Sequence, residues 1–267
     1  MRKETVRLRR LGWAGVEIEC EGYTLLIDYI QDTSPLIQLR SAEEPFPPSS
    51  QPGAAMAALL THLHADHADP GALAVALRNG APVFRPEAAT GSPADLALTS
   101  HAESQFIKHP LAQEVLDIWQ ERRVGPFTIL SAPAIDGFGD PQLSWMVVCA
   151  GKRIFHSGDT IFHGFWWRMA QRLGAPDLAF LPINGTVVDF PLLQPASPLE
   201  AVMTPEQAAV AANILRAQCV VPIHYGSLHK PPAYTETAQP VKRLDDQLKI
   251  WGIRMEERLP GDWFHLD

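Results

Sequence analysis

Cysteine is scarce in this sequence, with Cys20, Cys149 and Cys219 alone among 267 residues. Each sits in an apolar, strand-like run without ligand spacing, so neither a disulfide framework nor cysteine-bound zinc is expected, only buried thiols in a reducing compartment. Apolar runs are short: none approaches the length of a membrane-spanning helix, and no membrane partner is expected. The stretch Met1 to Arg10 is charged with no apolar core behind it, so no secretory signal is expected and the cytoplasm is the expected location. Positive charge is also in deficit, with 22 Lys and Arg against 30 Asp and Glu, a net −8 and no lysine-rich block. That balance argues against a nucleic-acid surface. What remains is an ordinary globular composition, 46% apolar and 19% charged, long enough for one α/β domain spanning 1–267.

Histidine, by contrast, is concentrated. Thr61-His62-Leu63-His64-Ala65-Asp66-His67 places four metal-capable side chains within one short stretch, just after the apolar run Ala54 to Leu60. In an extended segment alternate side chains share a face, so His62 and His64 point together. Asp66 and His67 fall where the chain turns and can aim at a second point beside the first. One ion held by His62 and His64, and another by Asp66 and His67, is the natural reading. Imidazole suits Zn or Fe, and added carboxylates favour harder ions such as Mn.

Around this motif the chain reads as alternating strands and helices. Val16 to Cys20 alternates, Glu21-Gly22 turns, and Tyr23 to Ile27 runs apolar to Asp28. A strand to Cys149, a turn at Gly151, a further strand and Asp159 repeat that pattern and suggest two similar strand-rich halves. Residues 31–53, rich in Pro, Ser and Gln, are a candidate lid or a candidate contact between copies in a homo-oligomer. Short helices are expected over Pro70 to Arg78 and, from Leu111, Val115, Ile118 and Trp119 on one face, over Leu111 to Arg122. Thr204-Pro205-Glu206-Gln207 has the form of a capping box opening a helix to about Arg216, and Val241 to Trp251 reads as the last helix.

A pair of ions needs further ligands from other strand ends. Three segments offer them: Ile135-Asp136-Gly137, Gly158-Asp159-Thr160 and Pro222-Ile223-His224. In this order, and together with Leu11-Gly12-Trp13-Ala14-Gly15-Val16, they resemble the metallo-β-lactamase superfamily over nearly the whole chain. The resemblance implies a four-layer αββα sandwich with a dinuclear site at one edge. It also implies that His62, His64 and Asp136 hold one ion, Asp66, His67 and His224 hold the other, and Asp159 bridges. Most of that superfamily has histidine where this chain has Asp136. A branch similar to L-ascorbate-6-phosphate lactonase carries aspartate there and favours Mn.

The implied chemistry is hydrolysis of a small, anionic lactone or ester by a metal-activated hydroxide, with Asp66 as the base. Two divalent ions, Mn or Zn, with Fe as a further option, are the expected cofactors. His163, Asn184 and Arg168 are candidate substrate contacts. Lys230 and His229 are further candidates to grip an anionic group, and His156 is expected to brace the site by a hydrogen bond. Phe165-Trp166-Trp167 is either an aromatic wall or a buried helix face. The competing readings are a phosphodiesterase or ribonuclease on the same scaffold, and a non-catalytic relative that binds a metabolite or partner.

Overall fold

Strand alternation decides where the cores sit. In Tyr23–Ile27, Leu25 and Ile27 join one apolar cluster while Leu26, between them, joins another. In Lys152–His156, Ile154 and Phe155 divide in the same way. Both strands are therefore covered on both faces, as a strand in an inner layer must be.

The computed structural model describes residues 5–41 and 45–266, so positions 42–44 of the expected 31–53 loop lie outside the described residues. The first part of the chain forms β1 (Val6–Arg10), β2 (Val16–Cys20), β3 (Tyr23–Ile27), β4 (Ala57–Leu59), β5 (Pro82–Arg85) and β6 (Ala112–Val115). It continues as β7 (Glu121–Val124), β8 (Phe127–Pro133), β9 (Leu143–Cys149), β10 (Lys152–His156) and β11 (Leu178–Pro182). The remaining strands are β12 (Val187–Val188), β13 (Cys219–Ile223), β14 (Tyr234–Thr235), β15 (Arg254–Met255) and β16 (Phe264–Leu266). The helices are α1 (Pro70–Ala76), α2 (Ser100–Lys108), α3 (Trp166–Leu173), α4 (Pro205–Leu215) and α5 (Pro240–Ile250).

Two seven-stranded sheets result, in the orders β16-β1-β2-β3-β4-β5-β6 and β7-β8-β9-β10-β11-β13-β15. Each begins with three antiparallel pairings and continues with three parallel ones. The short internal similarity in sequence is thus the trace of two sheets built to one plan, with β2–β3 matched by β9–β10. Leu8, Ile18, Leu25 and Phe84 of one sheet meet Ile129, Trp145, Phe180 and Val221 of the other in the central core. Leu73 of α1 and Phe106 of α2 pack outside the first sheet, and residues of α3, α4 and α5 outside the second. The architecture is the αββα sandwich.

Glu17 and Glu19 on β2 alternate with apolar residues, yet both are buried. Glu17 pairs with Arg9 at 2.5 Å and accepts from the Ser50 hydroxyl at 2.8 Å, so the segment around Ser50 covers this face. The helix expected over Leu111 to Arg122 is absent. Its apolar spacing is not a buried face, since Val115 and Ile118 are exposed, and edge pairing to β5 and β8 draws the segment into β6 and β7 instead. Helix α2 has only Ala102 and Phe106 buried, too thin an apolar stripe to register in sequence.

The capping box is formed as read. Thr204 Oγ1 accepts from the Gln207 amide at 3.2 Å and Gln207 Oε1 accepts from the Thr204 amide at 3.0 Å. Next to it the Met203 amide donates to the Thr160 carbonyl, so this helix start also holds the loop that follows Asp159. Thr204→Ala is expected to lower stability by about 1 kcal/mol, read as a shifted midpoint with unchanged slope in urea unfolding.

Candidate metal centre

Loops at one end of the sandwich deliver the motif residues. The 61–67 segment follows β4, Asp136 follows β8, Asp159 follows β10 and His224 follows β13. Gly158 makes the Asp159 position accessible: its φ is +69°, and a Cβ there would fall 2.9 Å from Thr61 Cβ. Gly137 does the same for Asp136, since a Cβ would fall 2.1 Å from the Ala201 carbonyl oxygen. Non-glycine residues Trp13, Asp28 and His224 also hold left-handed φ values, at +36°, +46° and +57°. Backbone of this kind persists where surrounding contacts dictate it.

One ligand-capable atom each from His62, His64, Asp136 and Asp159 lies within 4.8 Å of the others, and the same holds for His67, Asp159 and His224 and for His62, Asp66 and His67. Asp159 joins the groups. Its Oδ1 is 3.7 Å from His62 Nε2, and its Oδ2 is 3.8 Å from His67 Nε2 and 3.7 Å from His224 Nε2. Asp66 Oδ2 lies 3.6 Å from His67 Nε2 and 3.5 Å from His224 Nε2.

The fit to a cation can be tested on the atoms without partners. Nε2 of His62, His67 and His224, and Oδ1 of Asp136, are all buried with no hydrogen bond. Several unpaired polar atoms converging in one dry place would be costly unless something satisfies them together. Mixed imidazole and carboxylate donors are what Zn, Fe or Mn accept. The residues fit the group.

The hydrogen bonds behind the cluster set the tautomers. Thr61 Oγ1 donates to Asp28 Oδ2 at 2.7 Å, so the His62 Nδ1–H can donate back to Thr61 Oγ1 at 3.1 Å. His67 Nδ1 donates to Asp28 Oδ2 at 2.8 Å, and His64 Nε2 to Asp140 Oδ2 at 2.7 Å. When each ring is neutral, its other nitrogen presents a lone pair. Asp136 Oδ2 accepts from the Phe138 and Asp140 amides, which leaves Oδ1 free. Trp13 Nε1 donates to Asp66 Oδ2 at 3.0 Å, and Gln142 Nε2 to Asp159 Oδ1 at 2.6 Å. Asp28, Trp13, Asp140 and Gln142 were not anticipated as site residues. Only the matched placement of Asp28 and Asp159 in the two similar halves hinted at the first.

Electrostatics follow the same geometry. Burial, joined by the neighbouring His67 and His64, holds His62 well below the ordinary histidine range and therefore neutral. Burial also depresses His67, but Asp66, Asp28 and Asp159 outweigh it and raise the ring to about 10. Asp136 is pushed up to about 6 by burial.

The remaining candidates divide. His156 donates from Nε2 to the Ala14 carbonyl at 2.9 Å and accepts the Gly158 amide on Nδ1 at 3.1 Å, bracing the backbone before Asp159. Asn184 is fully buried and does not line the cavity itself; its Nδ2 donates to Tyr234 Oη at 2.8 Å, and Tyr234 does line it. His163 stacks on Trp166 at 4.6 Å, its pKa lowered to about 4 by burial, away from the cavity lining. Arg168 is exposed on α3, and neither it, Lys230 nor His229 lines the cavity. Arg168 points outward because α3 packs Trp166, Met169, Ala170 and Leu173 inward. Trp166 lies in the core and Trp167 is exposed, so the aromatic wall comes instead from Phe138 and Phe190, with ring centroids 6.2 Å apart.

The cavity over the cluster measures about 380 Å³ and includes His64, Asp66, Asp159 and His224 in its lining. Pro35, Leu36 and Leu39 form part of it, so the described part of the 31–53 loop walls the site. Ser41 and His229 amides, donating to Ser227 and Leu39 carbonyls at 2.9 Å each, tie that wall to the segment after His224.

The profile of the Beta-lactamase superfamily domain matches residues 23–225. A UPF0173 metal-dependent hydrolase of Rubrobacter xylanophilus is 30% identical over 215 residues, 75% of this chain and 77% of the relative. The chain belongs to the metallo-β-lactamase superfamily. Within it, the chain stands among the metal-dependent hydrolases; a second UPF0173 relative, from Symbiobacterium thermophilum, is 28% identical over 83% of this chain and 85% of its own. Among solved structures, a metallo hydrolase from the hyperthermophilic archaeon Ignicoccus hospitalis has the same superfamily fold, with a TM-score of 0.68, 22% identity and 98% of both chains covered.

Metal uptake by this member of the superfamily should release protons. The proton that holds His67 charged up to about pH 10 must leave before Nε2 can bind a cation. Apparent affinity for Zn or Mn is therefore expected to rise with pH across the range 6 to about 10. Calorimetry in buffers of different ionisation enthalpy measures the protons released; a pH-independent affinity would contradict this assignment.

Proposed function

We propose that the protein hydrolyses an ester or lactone bond of a small substrate at a pair of divalent ions. His62, His64 and Asp136 would hold one ion, Asp66, His67 and His224 the other, and Asp159 would lie between them. The observation that carries this reading is the convergence of the unpartnered Nε2 atoms of His62, His67 and His224 and Oδ1 of Asp136 in overlapping groups of donors, two of which include Asp159. When bound, such ions would supply Lewis acidity, which lowers the pKa of a bound water and offsets charge gained by the attacked carbonyl. Manganese, zinc and iron all suit the donors; the oxygen-rich group around Asp136 favours manganese.

The chain's own residues do the rest. Asp66, facing the cavity and held by Trp13, orients the attacking oxygen and takes its proton. Tyr234 accepts from Asn184, which leaves its own O–H to turn toward the oxygen that gains charge. Burial, reinforced by Asp66 and Asp159, raises its pKa well above the ordinary tyrosine value, so it stays a donor. Asn184, expected as a direct contact, becomes the residue that positions this hydroxyl. A nuclease reading has less support, since among the described residues lining the cavity none is Lys or Arg.

Elemental analysis of protein purified with Mn or Zn, followed by a screen of esters, lactones and phosphodiesters, tests the proposal. Two ions per chain and cleavage of an ester or lactone are expected. Absence of bound metal and of all activity would favour the metabolite- or partner-binding alternative. Asp66→Asn is expected to lower kcat by about 10²–10⁴, read at metal concentrations that restore two ions per chain because Asp66 would also hold one of them; near-normal turnover would remove the base role. Tyr234→Phe is expected to lower kcat by about 10² with unchanged metal content, and an effect confined to KM would make Tyr234 a binding residue only.

A further inference from the structure

The walls of the cavity narrow the substrate beyond the bond that is cut. Leu36 and Leu39 come from the loop before β4, Leu98 from the turn before α2, Phe190 and Leu192 from the loop after β12, and Leu228 from the segment after His224. Separate parts of the chain thus converge with the same chemistry, which makes the apolar lining a property of the cavity and not of one element. Outside the metal cluster the polar groups are few, with Thr186, Tyr234 and His101 bearing the side-chain donors and acceptors.

Charge accounting points the same way. Two divalent ions bring four positive charges; Asp66, Asp136 and Asp159 offset three of them and a hydroxide the fourth. His64 and His67 already face carboxylates of their own, Asp140 and Asp28. No surplus positive charge is left at the centre, and no Lys or Arg stands in the described lining to provide one. A phosphate or carboxylate group in this space would exchange its water for the few side-chain donors of Thr186, Tyr234 and His101, with no Lys or Arg to pair with, which is unfavourable. An alkyl or aryl group would gain by being buried, by about threefold to fourfold in affinity per methylene. The volume of about 380 Å³ lies within the range of small-molecule sites.

We propose, resting on the hydrolase reading above, that the cavity takes an uncharged ester or lactone whose apolar body lies against Leu36, Leu39, Leu98, Phe190, Leu192 and Leu228. This replaces the expectation of an anionic substrate. The carbonyl faces the cluster, and the apolar body extends away from it.

A matched pair tests the class. Metal-loaded protein is given p-nitrophenyl hexanoate and the mono-p-nitrophenyl ester of hexanedioate, which differ by a terminal carboxylate. The neutral ester is expected to have the larger kcat/KM by at least about tenfold, with a rise along the acetate, butyrate and hexanoate series. Leu192→Arg, at a half-exposed position outside the metal cluster, should shift the ratio toward the carboxylate ester without changing metal content. Equal or greater kcat/KM for the carboxylate ester in the unmutated protein would overturn the uncharged class while leaving the hydrolase reading intact. If no ester, lactone or phosphodiester is cleaved, the hydrolase reading fails and binding decides the class. Calorimetry with octanamide and the monoamide of octanedioic acid should then favour octanamide, and the reverse preference would overturn the proposal.

Discussion

Seven ionisable side chains share one place in this protein because all but one have a partner for an atom that they turn away from the cluster or toward its edge. Those pairings organise the loops of this protein. Asp28 takes the far nitrogen of His67 and the hydroxyl of Thr61, and Thr61 in turn serves His62. Asp140 takes the far nitrogen of His64 and, through its amide, one oxygen of Asp136. The loop from Asp136 to Asp140 thus supplies one residue of the cluster and steadies another. His224 is the exception: neither ring nitrogen has a hydrogen bond, and packing on Trp13 at 4.0 Å holds the ring. Trp13 also donates to Asp66, so one indole governs two residues of the second group.

The legibility of this centre in the sequence follows from distance along the chain. His62, His64, Asp66 and His67 are readable because a single turn holds them together. Asp136, Asp159 and His224 are readable only through their order at strand ends. Their supporting partners are harder: Asp140 lies 76 positions from His64 and Trp13 53 positions from Asp66. An aspartate or tryptophan at such a remove carries no local pattern. Asp28 was nearer to view, because the two sheets repeat one plan and place it where the other half places Asp159.

The misreadings have physical causes too. Leu111, Val115, Ile118 and Trp119 have helical spacing, but spacing says nothing about whether a face will be covered, and sheet edges claimed the segment. Arg168 lies only nine residues after Asp159, yet it sits on the exposed side of α3 and turns outward. The apolar residues that wall the cavity, among them Leu36, Leu98, Phe190 and Leu228, come from loops that converge only in three dimensions, so no stretch of sequence announces them.

The tie between the 36–41 wall and the 227–229 segment has a mechanical consequence. The strand end that presents His224 and the wall of the cavity are linked by two amide hydrogen bonds across a few residues. Any displacement of the wall is therefore passed to the backbone that carries His224. In such an arrangement the mouth of the cavity and the cluster beneath it form one mechanical unit, and the shape of one sets the position of the other.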